Sequence, residues 1–83
     1  MAEHRLLKLT IARIDGPVFD GKVISVSVPG AAGDMELMAG HESIISPIKS
    51  GEVRVKKNDG SIETFTLKAG TLELSNNHAT ILI

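Results

Sequence analysis

The chain has 83 residues, 42% of them hydrophobic, and nine Lys plus Arg against ten Asp plus Glu give a net charge of −1. This length predicts a single domain over residues 1–83, and the hydrophobic content excludes a disordered chain. Two aromatic residues and a near-neutral charge exclude a basic, aromatic-rich nucleic-acid binder, and the lack of Cys excludes disulfides and thiolate metal sites.

The sequence predicts no direct insertion into a membrane. No apolar run approaches the roughly 18 residues that a membrane-spanning helix needs. The N-terminal stretch "MAEHRLLKLTIARID" lacks the long apolar segment of a signal peptide. We therefore expect a cytoplasmic protein that reaches a membrane only through a partner.

The first half of the chain predicts short strands in which apolar and polar residues alternate. The alternation that starts at Leu7 slips by one residue near Ala12, which indicates a β-bulge. The sequence "DGP" at 15–17 predicts a turn, and Asp-Gly at 20–21 predicts a hairpin. The next strand is predicted from the apolar positions Ile24, Val26 and Val28.

The second half continues the same pattern after two glycine-containing loops. These loops are "PGAAGD" at 29–34 and "AGHES" at 39–43, on either side of the short stretch "MELM". An isoleucine-rich strand containing Pro47 follows, and "NDGS" at 58–61 predicts a hairpin. A last pair of strands is predicted around the turn at Asn76 and Asn77.

Strand signals about every ten residues, without a sustained helical period, predict an all-β sandwich or barrel. The alternation also predicts which strand residues face the core. The predicted core residues are Leu9, Ile24, Val26, Val53, Phe65, Leu72, Leu74 and Ile81.

Metal binding and catalysis are weakly supported by the residue types. His4, His41 and His78 have no ligand spacing, so no metal site is predicted. Asp34, His41 and Ser43 could form the triad of a small hydrolase, which we keep as an alternative. No glycine follows Ser43 as in a nucleophile elbow, so this alternative is the weaker one.

No cofactor is predicted from the remaining motifs. The "GAAG" at 30–33 lacks the Lys-Ser/Thr pair and the helix of a phosphate-binding loop. Lys56 and Lys57 precede the hairpin tip, whereas a lipoyl or biotinyl carrier displays its lysine at the tip. We expect the two glycine-containing loops to project together at one end and form a contact patch, so a free-standing protein-binding module is a second alternative.

The order and spacing of four motifs make the chain resemble a known protein family. The motifs are "VFDGKV" at 18–23, "VSVPGAAGD" at 26–34, "AGHESIISPIKSGEVRV" at 39–55 and "GTLELSNNHATIL" at 70–82. With these motifs the chain resembles the N-terminal β-sandwich domain of the ε subunit of bacterial-type F1Fo ATP synthases. The resemblance covers nearly the whole chain.

The resemblance implies a flattened β-sandwich of about ten short strands in two sheets. It also implies a non-catalytic subunit without a cofactor, which joins the γ subunit to the c ring of the rotor. Such a subunit couples proton-driven rotation to ATP synthesis and lies peripherally on the cytoplasmic face of the bacterial inner membrane.

The resemblance assigns contact residues to each partner. Its implied contacts to the c ring are Gly33, Asp34, Gly40 and His41. Its implied contacts to γ are Arg13, His41 and Ser46.

Two departures from the family pattern carry expectations of their own. Glu36 stands where relatives usually have Gly, so a left-handed backbone there would cost on the order of 1 kcal/mol. Two milder departures are Ala39, where relatives usually have Pro, and Ala69, where Gly is common. The match ends at Ile83, so we expect no C-terminal two-helix hairpin and none of its inhibition or ATP sensing.

Overall fold

The computed structural model describes residues 5–83, so the expectation for His4 lies outside the described residues. Those residues form strands and turns only, which confirms the all-β prediction. The strands are β1 (Leu7–Arg13), β2 (Gly16–Gly30), β3 (Gly33–Met38), β4 (Ile44–Ile48), β5 (Gly51–Lys57), β6 (Ile62–Leu67), β7 (Gly70–Ser75) and β8 (His78–Leu82).

There are eight strands instead of about ten because β2 is one continuous strand of 15 residues. The hairpin predicted at residues 20–21 is wrong, since both residues lie inside β2 and pair with β1. Thr10 lies opposite Asp20 and Leu9 opposite Gly21 in that antiparallel ladder. Pairing along the whole of β1 holds the Asp-Gly sequence extended, and tertiary pairing therefore overrides a local turn signal.

The strands form two halves that share β2. Its first part pairs with β1, and the order β1-β8-β7-β4 continues from there. Its second part lies between β3 and β5, and β6 pairs with β5. We call these the five-strand half (first part of β2, β1, β8, β7, β4) and the four-strand half (β3, second part of β2, β5, β6). A bridge between Gly30 and Ile48 connects β2 to β4 and links the end of one half to the other.

An aliphatic core is built from the inward-facing residues of these strands. Burial of each large side chain contributes roughly 1.5–3 kcal/mol, so these residues account for most of the driving force for folding. The buried hydrophobic residues are Leu7, Leu9, Ile11, Val23, Val26, Val28, Leu37, Ile48, Val53, Val55, Leu67, Leu72, Leu74, Ala79 and Ile81.

Six of the eight predicted core positions are buried, and two differ. Phe65 is half-buried and packs against the core from its edge. Ile24 is the one incorrect core residue. The ladder between β2 and β5 shifts register between Val23 and Ser25, so Val23 is buried and Ile24 is only partly covered.

Two local expectations concern the backbone. The register shift between Ile11 and Ala12 lies where a bulge was predicted, but the extra residue is Val18 on β2, since Ile11 pairs with Phe19 and Ala12 with Pro17. Within residues 5–83, Asn76 and Asn77 are the non-glycine residues with positive φ, at 50° and 61°. Both lie in the predicted turn between β7 and β8. Glu36 is an ordinary strand residue, so the strain considered for it does not arise.

Candidate functional site

The outer face of the five-strand half carries an exposed row with four apolar members among five. Strand register places these residues side by side across neighbouring strands. We call this set the apolar row: Pro17, Ala12, Leu82, Thr71 and Pro47. Leu82 is 55% exposed, and Ile45 on the neighbouring row of β4 is 75% exposed.

Two residues predicted to contact γ border the apolar row. Arg13 is exposed and directly follows Ala12 at the end of β1. Ser46 lies between Ile45 and Pro47 in β4 with its side chain on the side of Ile44 and Ile48, and its hydroxyl donates a hydrogen bond to the Pro47 carbonyl at 3.0 Å. Exposed apolar surface with a polar border is typical of protein–protein contacts.

The outer face of the four-strand half forms a negatively charged groove of about 570 Å³. We call it the acidic groove; it is lined by Ser27, Val28, Pro29, Asp34, Met35, Glu36, Glu52 and Arg54. Three carboxylates therefore face one guanidinium. Arg54 Nη2 lies 3.9 Å from Glu52 Oε1, and both side chains are largely exposed, so this pair contributes little stability.

Asp34 and His41 lie at opposite ends of β3. The turn before Asp34 is anchored beside β4, where Ala31 N donates to the Pro47 carbonyl at 3.1 Å. The loop with His41 is anchored beside the β7–β8 turn, where Gly40 N donates to Asn77 Oδ1 at 3.2 Å. We call these the Pro47 end and the Asn77 end.

The expectation that the two glycine-containing loops project together is therefore wrong. A strand carries its flanking loops to opposite ends, and about 13 Å of extended chain separates Asp34 from Met38 at roughly 3.3 Å per residue. The same separation keeps Asp34 away from His41 and Ser43. The hydrolase triad is not assembled.

The His41 ring makes a hydrogen bond to the residue that follows it in the chain. Its Nδ1 donates to the Glu42 carbonyl at 2.8 Å, so that nitrogen carries a proton. Both His41 and Ser43 are exposed, and within residues 5–83 no hydrogen bond joins them. The arrangement leaves both polar side chains open to solvent and provides no activated nucleophile among the described residues.

A second groove of about 590 Å³ lies at the Asn77 end of the five-strand half. We call it the basic groove; it is lined by Leu6, Lys8, Lys22, Asn76, Asn77 and His78. Sequence analysis missed it because its residues are far apart in the chain, and only the strand register brings them together.

Sequence analysis also missed the exposed apolar residues of β4 and β8. A signal existed in the adjacent pair Ile44 and Ile45, because successive strand residues face opposite sides and one of them must point outward. Leu82 follows the buried Ile81 in the same way.

Over the described range, no group of three or more His, Asp or Glu side chains is placed to hold a metal ion. In that same part of the chain, no helix has the length and apolar character needed to cross a membrane.

The fold and its surfaces define a small all-β domain with candidate contact surfaces on both outer faces. The family model for the ATP synthase delta/epsilon chain β-sandwich domain matches residues 6–83. The chain belongs to this family.

Curated relatives agree with the family assignment. The chain is 38% identical over 82 residues to the ATP synthase epsilon chain of Latilactobacillus sakei, covering 96% of this chain and 57% of that relative. It is 38% identical over 78 residues to the ATP synthase epsilon chain of Bacillus subtilis, covering 94% of this chain and 58% of the relative. The chain thus spans less than two thirds of the length of these relatives.

Two solved structures share the fold. A chain of the Euglena gracilis mitochondrial ATP synthase, solved as OSCP/F1/c-ring, superposes with a TM-score of 0.88 at 20% identity over 93% of this chain and 49% of that chain. A chain of the Tetrahymena thermophila mitochondrial ATP synthase central stalk and c-ring gives a TM-score of 0.77 at 10% identity over 98% of this chain and 65% of that chain.

Proposed function

We propose that this chain serves as the β-sandwich domain of a non-catalytic central-stalk subunit of an F1Fo ATP synthase. In that role it joins γ to the c ring, so that proton-driven rotation is coupled to ATP synthesis at sites on other subunits. The observation that carries the proposal is the 38% identity to epsilon chains over 94% or more of this chain. No cofactor is part of the proposal.

The apolar row is the surface that we assign to γ. Arg13 and Ser46 flank it, and both were assigned to γ from the family resemblance. A partner that covers Ile45 and Leu82 removes exposed apolar surface from water, at roughly 25 cal/mol per Å² of area buried. Because a torque-bearing joint must not slip, a stable contact burying on the order of 1,000 Å² or more is expected.

The acidic groove and the turn before it are the surface that we assign to the c ring. Asp34 is exposed at the start of β3, and Gly33 before it has φ of 138°. Three carboxylates in the groove fit a partner loop with basic residues, and such complementarity fixes orientation more than affinity.

Gly40 and His41 complete the proposed contacts at the Asn77 end. A c-ring contact that includes both Asp34 and His41 has to extend along the whole of β3. His41 is also assigned to γ, which places it where the two partners approach each other. In this arrangement the domain is peripheral on the cytoplasmic face of a bacterial inner membrane.

Reconstitution of the chain with α, β, γ and the c ring tests the proposal. Asp34→Lys reverses the charge toward the c ring and is expected to reduce ATP-driven proton pumping more than ATP hydrolysis. Asp15→Lys changes the same charge in the exposed β1–β2 turn and serves as the matched control. Equal pumping by both variants would contradict the assignment of Asp34.

Co-purification from detergent-solubilised membranes separates the proposal from its alternatives. The native protein is expected to travel with α, β and γ. Recovery only as a free monomer would support a free-standing binding module instead. A turnover that His41→Ala abolishes in the isolated chain would support the hydrolase alternative.

A further inference from the structure

We propose that the basic groove binds a phosphate-bearing anion through Lys8, Lys22 and His78. The groove lies at the Asn77 end of the five-strand half, while the apolar row crosses the Pro47 end of the same face. It takes no part in the contacts assigned above, so the inference stands independently of the proposed function.

Strand register brings the two lysines and the histidine into one row. Lys8 on β1 lies opposite Lys22 on β2 and beside His78 on β8. Neighbouring strands are about 4.8 Å apart, so the three residues fall within about 10 Å of one another on the same face. Both lysines are exposed and His78 is half-buried.

Within the described part of the chain, no ion pair compensates the positive charges of Lys8 and Lys22. Like charges directly opposite each other on neighbouring strands are unfavourable. Among residues 5–83, the ion pairs present use Arg54 and Lys57, and neither Lys8 nor Lys22 has a carboxylate within 4.0 Å. A bound anion would supply the missing counter-charge.

Asp20, whose carboxylate lies in the next row along the strands, already accepts a hydrogen bond. Thr10 Oγ1 donates its only proton to Asp20 Oδ1 at 3.2 Å. The same oxygen lies 3.0 Å from His78 Nε2 and must therefore accept a proton from that nitrogen. This hydrogen-bond chain fixes the proton on Nε2, so Nδ1 of His78 can accept from a protonated oxygen of a phosphate.

The wall of the groove is held in place before any ligand arrives. Asn77 accepts from Lys8 N through its carbonyl at 3.1 Å. Its side-chain amide donates to the Leu6 carbonyl at 2.8 Å and accepts from Gly40 N at 3.2 Å. The turn between β7 and β8 is thus tied to β1 and to the loop after β3. A pre-formed wall lowers the entropic cost of binding.

The number of cationic groups indicates the class of ligand. Two ammonium groups match the charge of a phosphate better than that of a single carboxylate, and lysine binds phosphate as a point charge. A volume of about 590 Å³ is ample for a phosphate with a small substituent. The phosphate could belong to a free small molecule or to a phospholipid headgroup.

Titration of the 15N-labelled chain with inorganic phosphate tests the inference, with ionic strength held constant by chloride. We expect saturable shifts of the backbone amide signals of Lys8, Lys22 and His78. The double variant K8Q/K22Q should weaken phosphate binding by about tenfold or more, because it removes two charge-assisted contacts. The matched control K49Q/K68Q removes the same charge from exposed loop positions and should leave binding unchanged.

A second experiment measures binding to vesicles of phosphatidylcholine with and without phosphatidic acid. Saturable binding of inorganic phosphate supports a small-molecule ligand, and binding of phosphatidic-acid vesicles alone supports a lipid headgroup. Each outcome supports the inference only if K8Q/K22Q weakens the binding by about tenfold or more while K49Q/K68Q leaves it unchanged. Three results would overturn the inference. They are an equal loss of binding in both variants, no response to either probe, and a response to polyglutamate alone. Amide signal dispersion verifies that each variant is folded.

Discussion

Phe19 and Phe65 pack edge to face across the two halves of the molecule, with ring centroids 5.8 Å apart and ring planes at 65°. They are the only aromatic residues in the chain. Phe19 lies in the first part of β2 and Phe65 in β6, so the contact joins the five-strand half to the edge of the four-strand half. Both rings are half-buried against the aliphatic core.

This contact predicts a measurable coupling between the two residues. Edge-to-face pairs contribute about 0.5–1.5 kcal/mol beyond the area that they bury. In a double-mutant cycle with Phe19→Leu and Phe65→Leu, we expect a coupling free energy in that range from urea unfolding. Phe19→Leu with Leu67→Val in place of Phe65→Leu serves as a control cycle. A coupling close to zero in the first cycle would contradict the edge-to-face contribution.

How far the sequence predicted this structure depends on whether a feature is local. Alternation at Val53, Leu72 and Leu74 specified the core face, because a strand with one buried face has a fixed period of two. A slip in that period predicted a bulge near Ala12, but the extra residue is Val18 on β2. Ile24 was placed wrongly because the shift that turns it outward depends on β5, a strand that is remote in sequence.

The candidate site was less predictable than the fold for the same reason. Asp34 and His41 were identified by residue type, but their separation follows from the length of β3. The apolar row and the basic groove arise from cross-strand register among residues up to 70 positions apart, such as Lys8 and His78. No local pattern encodes such a juxtaposition.

Gly70 is predicted to be intolerant of any side chain. A Cβ at this position would collide with the carbonyl oxygen of Leu82 and lie 2.7 Å from Ile83 Cγ2. Because the first of these atoms belongs to the backbone of β8, the collision cannot be relieved by a side-chain rotation. We expect Gly70→Ala to lower the free energy of unfolding by about 1–3 kcal/mol, as measured by urea denaturation.

Gly21→Ala is the matched control for Gly70→Ala. A Cβ at Gly21 meets only the Phe19 ring at 3.6 Å, an ordinary van der Waals distance. We expect the stability of this variant to stay within about 0.5 kcal/mol of the parent chain. If Gly70→Ala proved as mild as Gly21→Ala, the close approach of β7 and the end of β8 would be incorrect.

The turn between β5 and β6 predicts an acid-dependent contribution to stability. The Ser61 hydroxyl donates to Asp59 Oδ1 at 2.6 Å, and Ser61 N donates to the same oxygen at 2.9 Å. These bonds hold the pKa of the Asp59 carboxyl below its ordinary value of 3.8. A lowered pKa in the folded state means that the stabilisation is complete above pH 3.8 and is lost as the pH falls through the folded-state pKa.

Thermal unfolding of Ser61→Ala between neutral and acidic pH checks this dependence. The variant keeps the backbone donor and loses the hydroxyl, which is the larger cause of the shift. We expect its Tm to be below that of the parent chain at neutral pH, with the difference shrinking below pH 3.8. Ser75→Ala, in an exposed position on β7, should show no such convergence. A Tm difference independent of pH would show that the hydroxyl acts without Asp59.

Leu82 in the apolar row and Ile45 in the neighbouring row predict a separation of binding from stability. Ile45 and Leu82 are 75% and 55% exposed, so replacing both with Thr should change the free energy of unfolding by about 0.5 kcal/mol or less. If this face contacts γ, the same double variant should weaken binding to an α3β3γ complex by about tenfold or more, since each lost contact buries apolar area only in the complex. Isothermal titration calorimetry measures the affinity.

The control for this variant lies on the opposite face. Ile62 on β6 is 64% exposed on the outer side of the four-strand half, so Ile62→Thr removes exposed apolar surface, at one position instead of two, away from the face that carries Ile45 and Leu82. Its affinity for the α3β3γ complex should match that of the parent chain. Similar losses in both variants would point to a general effect of surface hydrophobicity. Unchanged affinity in the Ile45/Leu82 variant would instead move the γ contact away from this face.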